Sequence, residues 1–177
     1  MTLHLTTFEG DGSTNTRPIS ALSDFRAQQL VSKLQLIDSK ITGISGRFVH
    51  LVATDHPLTP EEKAQLAALL SYGEPCKPQT GKKSEDAVFI VSPRLGTVSP
   101  WASKATDIAR NCGLAVKRIE RITEYRVALK SGLFSKAVLT AEQKAQVAAL
   151  LHDRMTDRKS TRLNSSHITP SRMPSSA

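Results

Sequence analysis

The densest group of side chains that could do chemistry lies between Ser92 and Gly113. This segment holds the only tryptophan of the chain, two Ser-Pro steps and a turn predicted to lead from a strand into a helix. Such a turn gathers free backbone N–H groups and the positive end of a helix dipole, which suits an anion. Arginine beside it can grip a phosphate or carboxylate with two hydrogen bonds. The hydroxyl and cationic side chains of this turn are Arg94, Thr97, Ser99, Ser103 and Lys104.

The same residues also fit an ordinary structural interpretation. Ser99 has the type and position of a helix N-cap, Pro100 would occupy the first helical position, and Trp101 would pack on a sheet. The segment is not a phosphate-binding P-loop, because it lacks the Gly-x-x-x-x-Gly-Lys-Ser/Thr pattern. From the residues alone, an anion site and a plain helix start stay equally open.

Histidines and cysteines elsewhere are weaker candidates. The four histidines of the main body show no metal-ligand spacing: His4, His50, His56 and His152. A histidine in the middle of a predicted strand, as His50 is, is far more often packed or solvated than a ligand. The two cysteines are far apart and form no Cys-x-x-Cys pair, which predicts neither a disulfide framework nor a zinc site. We therefore expect no metal site in this chain.

Two similar helical segments organise the elements that must position these side chains. LTPEEKAQLAALL at 58–70 and LTAEQKAQVAALL at 139–151 are near copies, one in each half of the chain. Each begins with the Thr-x-x-Glu or Thr-x-x-Gln spacing of a capping box and continues with one apolar stripe. A long strand precedes each of them, and a shorter strand and another helix precede that strand. The chain therefore indicates a strand-helix-strand-helix unit that occurs twice.

The predicted fold follows from this order. Strands are predicted at 3–8, 41–54, 87–91 and 116–130, and helices at about 20–36, 58–70, 99–112 and 139–151. An isolated pair of strands is marginal in water, so the two units should share a sheet or pack as a pseudo-dimer. The prediction is an α+β fold by internal duplication, with an antiparallel sheet covered by helices. The units span about 1–73 and 87–156 of a domain at 1–156, and a linker at 74–86 joins them.

Composition and charge exclude several classes of protein. The 177 residues are 39% hydrophobic and 23% charged, which is neither a disordered polyelectrolyte nor a fibrous chain. No stretch approaches the roughly 20 apolar residues of a membrane span, and the start is no signal peptide. The net charge of +8 points at first to nucleic acid. However, the basic run 117–121 has only Tyr125 as a nearby aromatic and is most simply a solvated strand face.

The final segment, 157–177, differs from the rest. Six of its residues are serine, and the hydrophobic periodicity stops there. Back-translation of 157–167 and 171–177 resembles the two arms of a sequencing-library adapter on either side of an index-length gap. We predict a disordered tail that is a translated adapter, and we exclude it from fold reasoning. The tail carries +3, which leaves +5 for residues 1–156.

The motif SPRLGTVSPWASKATDIA at 92–109 resembles the signature of a known family. It is similar to the N-terminal domain of phosphoribosylformylglycinamidine synthase, the large, single-chain, glutamine-dependent enzyme of purine synthesis. ALSDFR at 21–26 and LHDRM at 151–155 are similar to the same family at matching places. The resemblance covers residues 1 to about 156. One departure is Arg110, where members usually have histidine.

The resemblance implies a PurS-like pseudo-dimer within a ligase. The family converts formylglycinamide ribonucleotide, glutamine and ATP to formylglycinamidine ribonucleotide. A glutaminase domain releases ammonia to a synthetase domain that binds ATP and magnesium, and neither domain is in this chain. The implied role is to dock on the synthetase domain and support its substrate site and ammonia path, without catalysis of its own. The implied substrate-site or interface residues are Arg94, Thr97, Ser99, Trp101, Ser103, Lys104, Thr106, Asp107 and Asn111.

The resemblance also sets the remaining expectations. The fragment should bind no cofactor, and its partners should be the synthetase and glutaminase domains of a cytoplasmic, monomeric full-length chain. We expect neither nucleic acid nor membrane as a partner. Two alternatives stay open. A stand-alone ferredoxin-like module would bind a small ligand and be stabilised by it, and a nucleic-acid adaptor would bind with steep salt dependence.

Overall fold

The computed structural model describes residues 3–9, 18–76, 87–93, 97–130 and 138–152, and the backbone of 157–162. The strands are β1 (His4–Phe8), β2 (Ile19–Ser20), β3 (Ile41–Thr54), β4 (Ala87–Pro93), β5 (Val116–Leu129) and β6 (Asp157–Arg162). The helices are α1 (Asp24–Gln35), α2 (Pro60–Leu69), α3 (Pro100–Asn111) and α4 (Ala141–Leu151). No described helix combines the length and apolar character needed to cross a membrane.

Local side-chain hydrogen bonds fix where the helices begin. A serine or threonine caps each of the four, and its side-chain oxygen accepts from a backbone N–H of the first turn. The predicted capping boxes of α2 and α4 are confirmed. In α4, the Thr140 hydroxyl accepts from the Gln143 backbone N–H at 3.2 Å, and the Gln143 side-chain oxygen accepts from the Thr140 backbone N–H at 2.9 Å. Each bond satisfies a donor that the helix ladder leaves unpaired.

Replacing Thr140 by alanine is expected to lower the free energy of unfolding by about 1 kcal/mol. The exposed side chain has no other described role than the cap, so the loss should come from the Gln143 backbone N–H, which is left without its acceptor. Thr140→Ser keeps the hydroxyl and should keep most of the stability. Urea unfolding followed by circular dichroism checks both variants. A serine variant as unstable as the alanine variant would show that the cap is not the cause.

The sheet is antiparallel and has the order β1-β3-β5-β4-β6, with the short β2 beside β3. Its central pair joins β3 to β5 along their whole length, from Ile41 opposite Leu129 to Thr54 opposite Val116. Each of these two strands has 14 residues, and each is flanked by the first strand of its own half. The mixed α+β class with an antiparallel sheet is confirmed. The duplication itself stays a prediction.

The first of two core clusters lies at the end of the sheet where β1 pairs with β3. It contains Leu66 of α2 and Ala109 of α3, packed with Phe8, Val52 and Ile119 of the sheet. All five side chains are buried. The cluster therefore combines a helix from the first half of the chain with a helix from the second half.

The second core cluster is built the same way at the other end of the sheet. Leu34 of α1 and Val147 of α4 pack with Ile41, Phe89 and Val127. Both clusters draw their sheet residues from the same alternating positions of β3 and β5, so both lie on one face. All four helices cover that face, and each cluster needs both halves of the chain.

The opposite face of the sheet carries a network of ion pairs. Arg47 of β3 and Arg126 of β5 both donate through Nε to one oxygen of Glu124, at 3.0 and 2.8 Å. A second nitrogen of Arg47 lies 3.2 Å from the carboxylate of Glu9. Burial alone would raise the pKa of Glu124, but the two guanidinium groups outweigh it and lower that pKa. Among the described residues, no helix packs on this face.

Two features differ from the sequence prediction. Helix α1 begins at Asp24 rather than near Ser20, because Ser20 pairs with β3 as part of β2. The predicted linker lies mostly outside the described residues. The backbone of 157–162 forms β6 against β4, where the sequence predicted disorder. An unpaired sheet edge accepts an extended segment through backbone groups whatever its side chains, so the pairing does not bear on the origin of that segment.

Candidate functional site

Five side chains on the helix-covered face form a group between the two core clusters. Phe48 and His50 belong to β3, Tyr72 follows α2, Trp101 lies in the first turn of α3, and Arg121 belongs to β5. We call this group the arginine–aromatic cluster. His50 and Arg121 are directly opposite each other in the central strand pair, which places their side chains on the same face.

The guanidinium of Arg121 is the centre of the cluster. Its carbon lies 4.1 Å from the centre of the Phe48 ring and 4.7 Å from the centre of the Trp101 ring. Both separations are within the range of cation–π attraction. One terminal nitrogen donates a hydrogen bond to the Tyr72 hydroxyl at 3.2 Å. The His50 ring completes the group, with its centre 5.4 Å from that of Trp101 and 5.5 Å from that of Tyr72.

Burial sets the protonation of the two ionisable neighbours of Arg121. Burial first, and the Arg121 charge second, lower the pKa of His50 from 6.5 to about 4. Burial also raises the pKa of Tyr72, although Arg121 partly opposes this. Histidine is therefore neutral and tyrosine protonated near pH 7. The Tyr72 oxygen lies 2.8 Å from Nε2 of His50, and the pair is satisfied when the phenol donates to that nitrogen. The cluster then carries one positive charge.

Two of the predicted site residues on or next to α3, Ser99 and Thr106, have structural hydrogen bonds. The N-cap interpretation of Ser99 is confirmed: its oxygen accepts from the Ala102 backbone N–H at 3.0 Å and donates to Glu120 at 3.0 Å. Thr106 is buried and faces the sheet, where it donates to the Ala102 carbonyl and accepts from the Ile119 backbone N–H. This hydroxyl is held in a structural role.

The other predicted residues do not converge on one point. Arg94 lies outside the described residues. The following side chains are exposed along the segment that leads into α3 and along the helix: Thr97, Ser103, Lys104, Asp107 and Asn111. Asn111 lies at the opposite end of α3 from Ser99, so about 15 Å or more separates them along the helix. Of the predicted set, Trp101 is the residue that the structure brings into the cluster. The functional roles of the set stay predictions.

Sequence reasoning missed four members of the cluster. It took Arg121 for part of a solvated strand face, which is wrong, because Arg121 alternates with Ile119 on the helix-covered face. That alternation was the signal that could have found it. It took His50 for a packed or solvated residue, and His50 is indeed packed, at 3% exposure. Within the described ranges, no three histidine, cysteine or acidic side chains lie together in a way that could hold a metal ion.

A comparison with known protein families gives the identity that this geometry cannot give alone. The family model for the formylglycinamide ribonucleotide amidotransferase N-terminal domain matches residues 47–168, which is more than half of the chain. The match contains α2, α3, β5, α4 and all but the first six residues of β3. It also runs past the predicted domain end at 156, into the segment that resembles an adapter. This chain belongs to the formylglycinamide ribonucleotide amidotransferase N-terminal family.

Proposed function

We propose that this chain is the docking domain of a formylglycinamide ribonucleotide amidotransferase, an enzyme of purine biosynthesis. In this proposal it binds the ATP- and magnesium-dependent synthetase domain, supports the substrate end of that domain and helps to enclose the path of ammonia from the glutaminase domain. The chain contributes surface and no reacting group. ATP and magnesium belong to the synthetase domain, and no residue here is assigned to them.

The open face of the sheet is the observation that carries this proposal. Leu51 and Ile122 are partly exposed at its centre, Ile90 is partly exposed on β4, and Leu5 on β1 is 54% exposed. These positions alternate with those that face the two core clusters, so all four project from the side that no described helix covers. An apolar centre with a charged rim, here Arg47 and its partners, is the usual anatomy of a protein interface.

Substitution of this face is expected to weaken docking. The experiment combines the full 177-residue chain with a family member's synthetase and glutaminase domains, produced without their own N-terminal domain. Glutamine-dependent product formation and direct binding are both measured. Leu5→Lys and Ile90→Lys place a charge on the open face and should each weaken binding by about tenfold or more, since burying an unpaired charge is costly.

The matched control is Leu36→Lys. Leu36 is 88% exposed and caps the end of α1 on the helix-covered side of the sheet, so the same change there should leave docking as it is. Equal binding by all three variants and the parent chain would contradict the proposed surface. A parent chain that does not bind the synthetase domain at all would contradict the proposed function.

A further inference from the structure

Arg121 differs from the other described arginines of the two central strands. Arg47 and Arg126 bind the carboxylate of Glu124, and Arg118 lies against Glu120. All three project from the open face. Arg121 projects from the helix-covered face and meets no carboxylate within 4.0 Å among the residues the structure describes. Partly buried charges in proteins are normally paired.

The guanidinium also has unused hydrogen-bonding capacity. It carries five N–H donors, and among the described residues one of them has an acceptor, the Tyr72 oxygen. The rings of Phe48 and Trp101 hold its plane but accept no ordinary hydrogen bond. His50 and Tyr72 add no negative charge near pH 7. The cluster is therefore a fixed cation, and four of its guanidinium N–H donors have no acceptor among the described residues.

Two further donors lie beside the guanidinium. Thr123 is two residues along β5 on the same face, directly opposite Phe48, and the described residues give its hydroxyl no hydrogen-bond partner. The indole N–H of Trp101 likewise has no described acceptor, and Trp101 is partly exposed. A side chain held by packing loses less entropy on binding than a free one. Together with the guanidinium, these groups offer more hydrogen-bond donors than the two oxygens of a carboxylate can accept from in one plane.

We propose that the arginine–aromatic cluster is a binding site for the phosphate group of a small phosphate monoester. Such a group offers three terminal oxygens and up to two negative charges, so it matches a guanidinium fork that is supplemented by hydroxyl and indole donors. Arg121 makes the charged contact, and Thr123 and Trp101 add neutral ones. The site lies on the helix-covered face, opposite the docking surface, so it does not depend on the docking proposal.

The chain carries its own probe for this site. Trp101 is the only tryptophan of the sequence, and its ring lies 4.7 Å from the Arg121 guanidinium carbon. The full 177-residue chain is titrated at constant ionic strength with inorganic phosphate, with ribose 5-phosphate and with acetate, and tryptophan fluorescence is recorded. Both phosphates should give a saturable change. Acetate should bind about tenfold more weakly or not at all, because it fills fewer donors.

Variants test whether Arg121 makes the contact. Arg121→Gln should weaken phosphate binding by about tenfold or more, the effect of losing a charged hydrogen bond, whereas Arg121→Lys should retain part of it. Thr123→Val should weaken it severalfold without altering the charge. Arg126→Gln removes an arginine from the same strand but from the open face, and should leave the titration unchanged.

Circular dichroism shows whether each variant is folded before it is titrated. If Arg121→Gln does not fold, Arg121→Lys and Thr123→Val provide the comparison with Arg126→Gln. The proposal is overturned if the parent chain shows no saturable response to either phosphate. It is also overturned if acetate binds as well as phosphate, or if the site variants bind like Arg126→Gln. Tighter binding of ribose 5-phosphate than of inorganic phosphate would support the monoester.

Discussion

A chain of residues 1–76 is expected to remain unfolded on its own, although it contains two complete helices and the long strand β3. The first core cluster would lose α3 and the Ile119 side chain, and the second would lose α4, Phe89 and Val127. The remaining strands, β1 and the short β2, pair only with β3, and so small a sheet is marginal in water. The expected loss is the entire free energy of folding, since a domain has only about 5–15 kcal/mol to lose.

Far-ultraviolet circular dichroism and amide proton dispersion measure this directly. The matched control is a mixture of the 1–76 chain with a chain that begins at residue 87, which together restore both clusters and should recover the folded signals. A 1–76 chain that folds alone, either as a monomer or as a dimer at higher concentration, would contradict the prediction. It would show that one half can supply the missing helix and strand contacts by itself.

The sequence predicted the elements well because their signals are local. The capping boxes and apolar stripes predicted α2 and α4, and the strand predicted at 41–54 has the bounds of β3. The start of α1 shows where local signals fail. Ser20 and Leu22 look like the start of a helix, but the backbone of Ser20 pairs with Arg47 of β3 instead. A contact with a strand beyond the next helix overrides the local preference there.

The pairing of helices between halves could not be read from the chain. Nothing in the periodicity of α2 says whether it packs with α1 of its own half or with α3 of the other half. The choice depends on the register of β3 against β5, which sets Val52 opposite Ile119 and so fixes which helices share a cluster. Register is a property of two strands together, and here the two strands belong to different halves of the chain.

The arginine–aromatic cluster was hidden for the same reason. Trp101 drew attention as the only tryptophan, and Arg121 could have been placed on the inner face from its alternation with Ile119. Its neighbours come from further away, since Tyr72 is 49 residues before it and follows a helix of the other half. Residue type identifies candidates for such a site, but the fold decides which of them meet.

Acid is expected to destabilise the fold by about 3 kcal/mol between pH 6.5 and pH 4, through His50 alone. The pKa of His50 is lowered from 6.5 to about 4, first by burial and then by the Arg121 charge. In this range the unfolded chain takes up a proton that the folded chain does not, so stability falls as the pH falls. Well above pH 6.5 the imidazole is unprotonated in both states, and its contribution to the pH dependence vanishes.

The buried carboxylate of Glu124 acts at lower pH and can be separated from this effect. Because Arg47 and Arg126 lower the pKa of Glu124 below 4.5 against the opposing effect of burial, its stabilisation is lost only as the pH falls further. Urea unfolding at pH 7, 5.5 and 4.5 therefore isolates His50. His50→Gln keeps an acceptor for the Tyr72 hydroxyl but cannot titrate, so its stability should be nearly flat over this range.

The control is His56→Gln, which makes the same substitution at a histidine that is exposed rather than buried. This variant should keep the full pH dependence of the parent chain, since His50 and its buried surroundings are unchanged in it. If the slope between pH 6.5 and 4.5 survives in His50→Gln, or disappears in His56→Gln, the buried imidazole is not its source. The cluster would then carry a second positive charge in mild acid, next to Arg121.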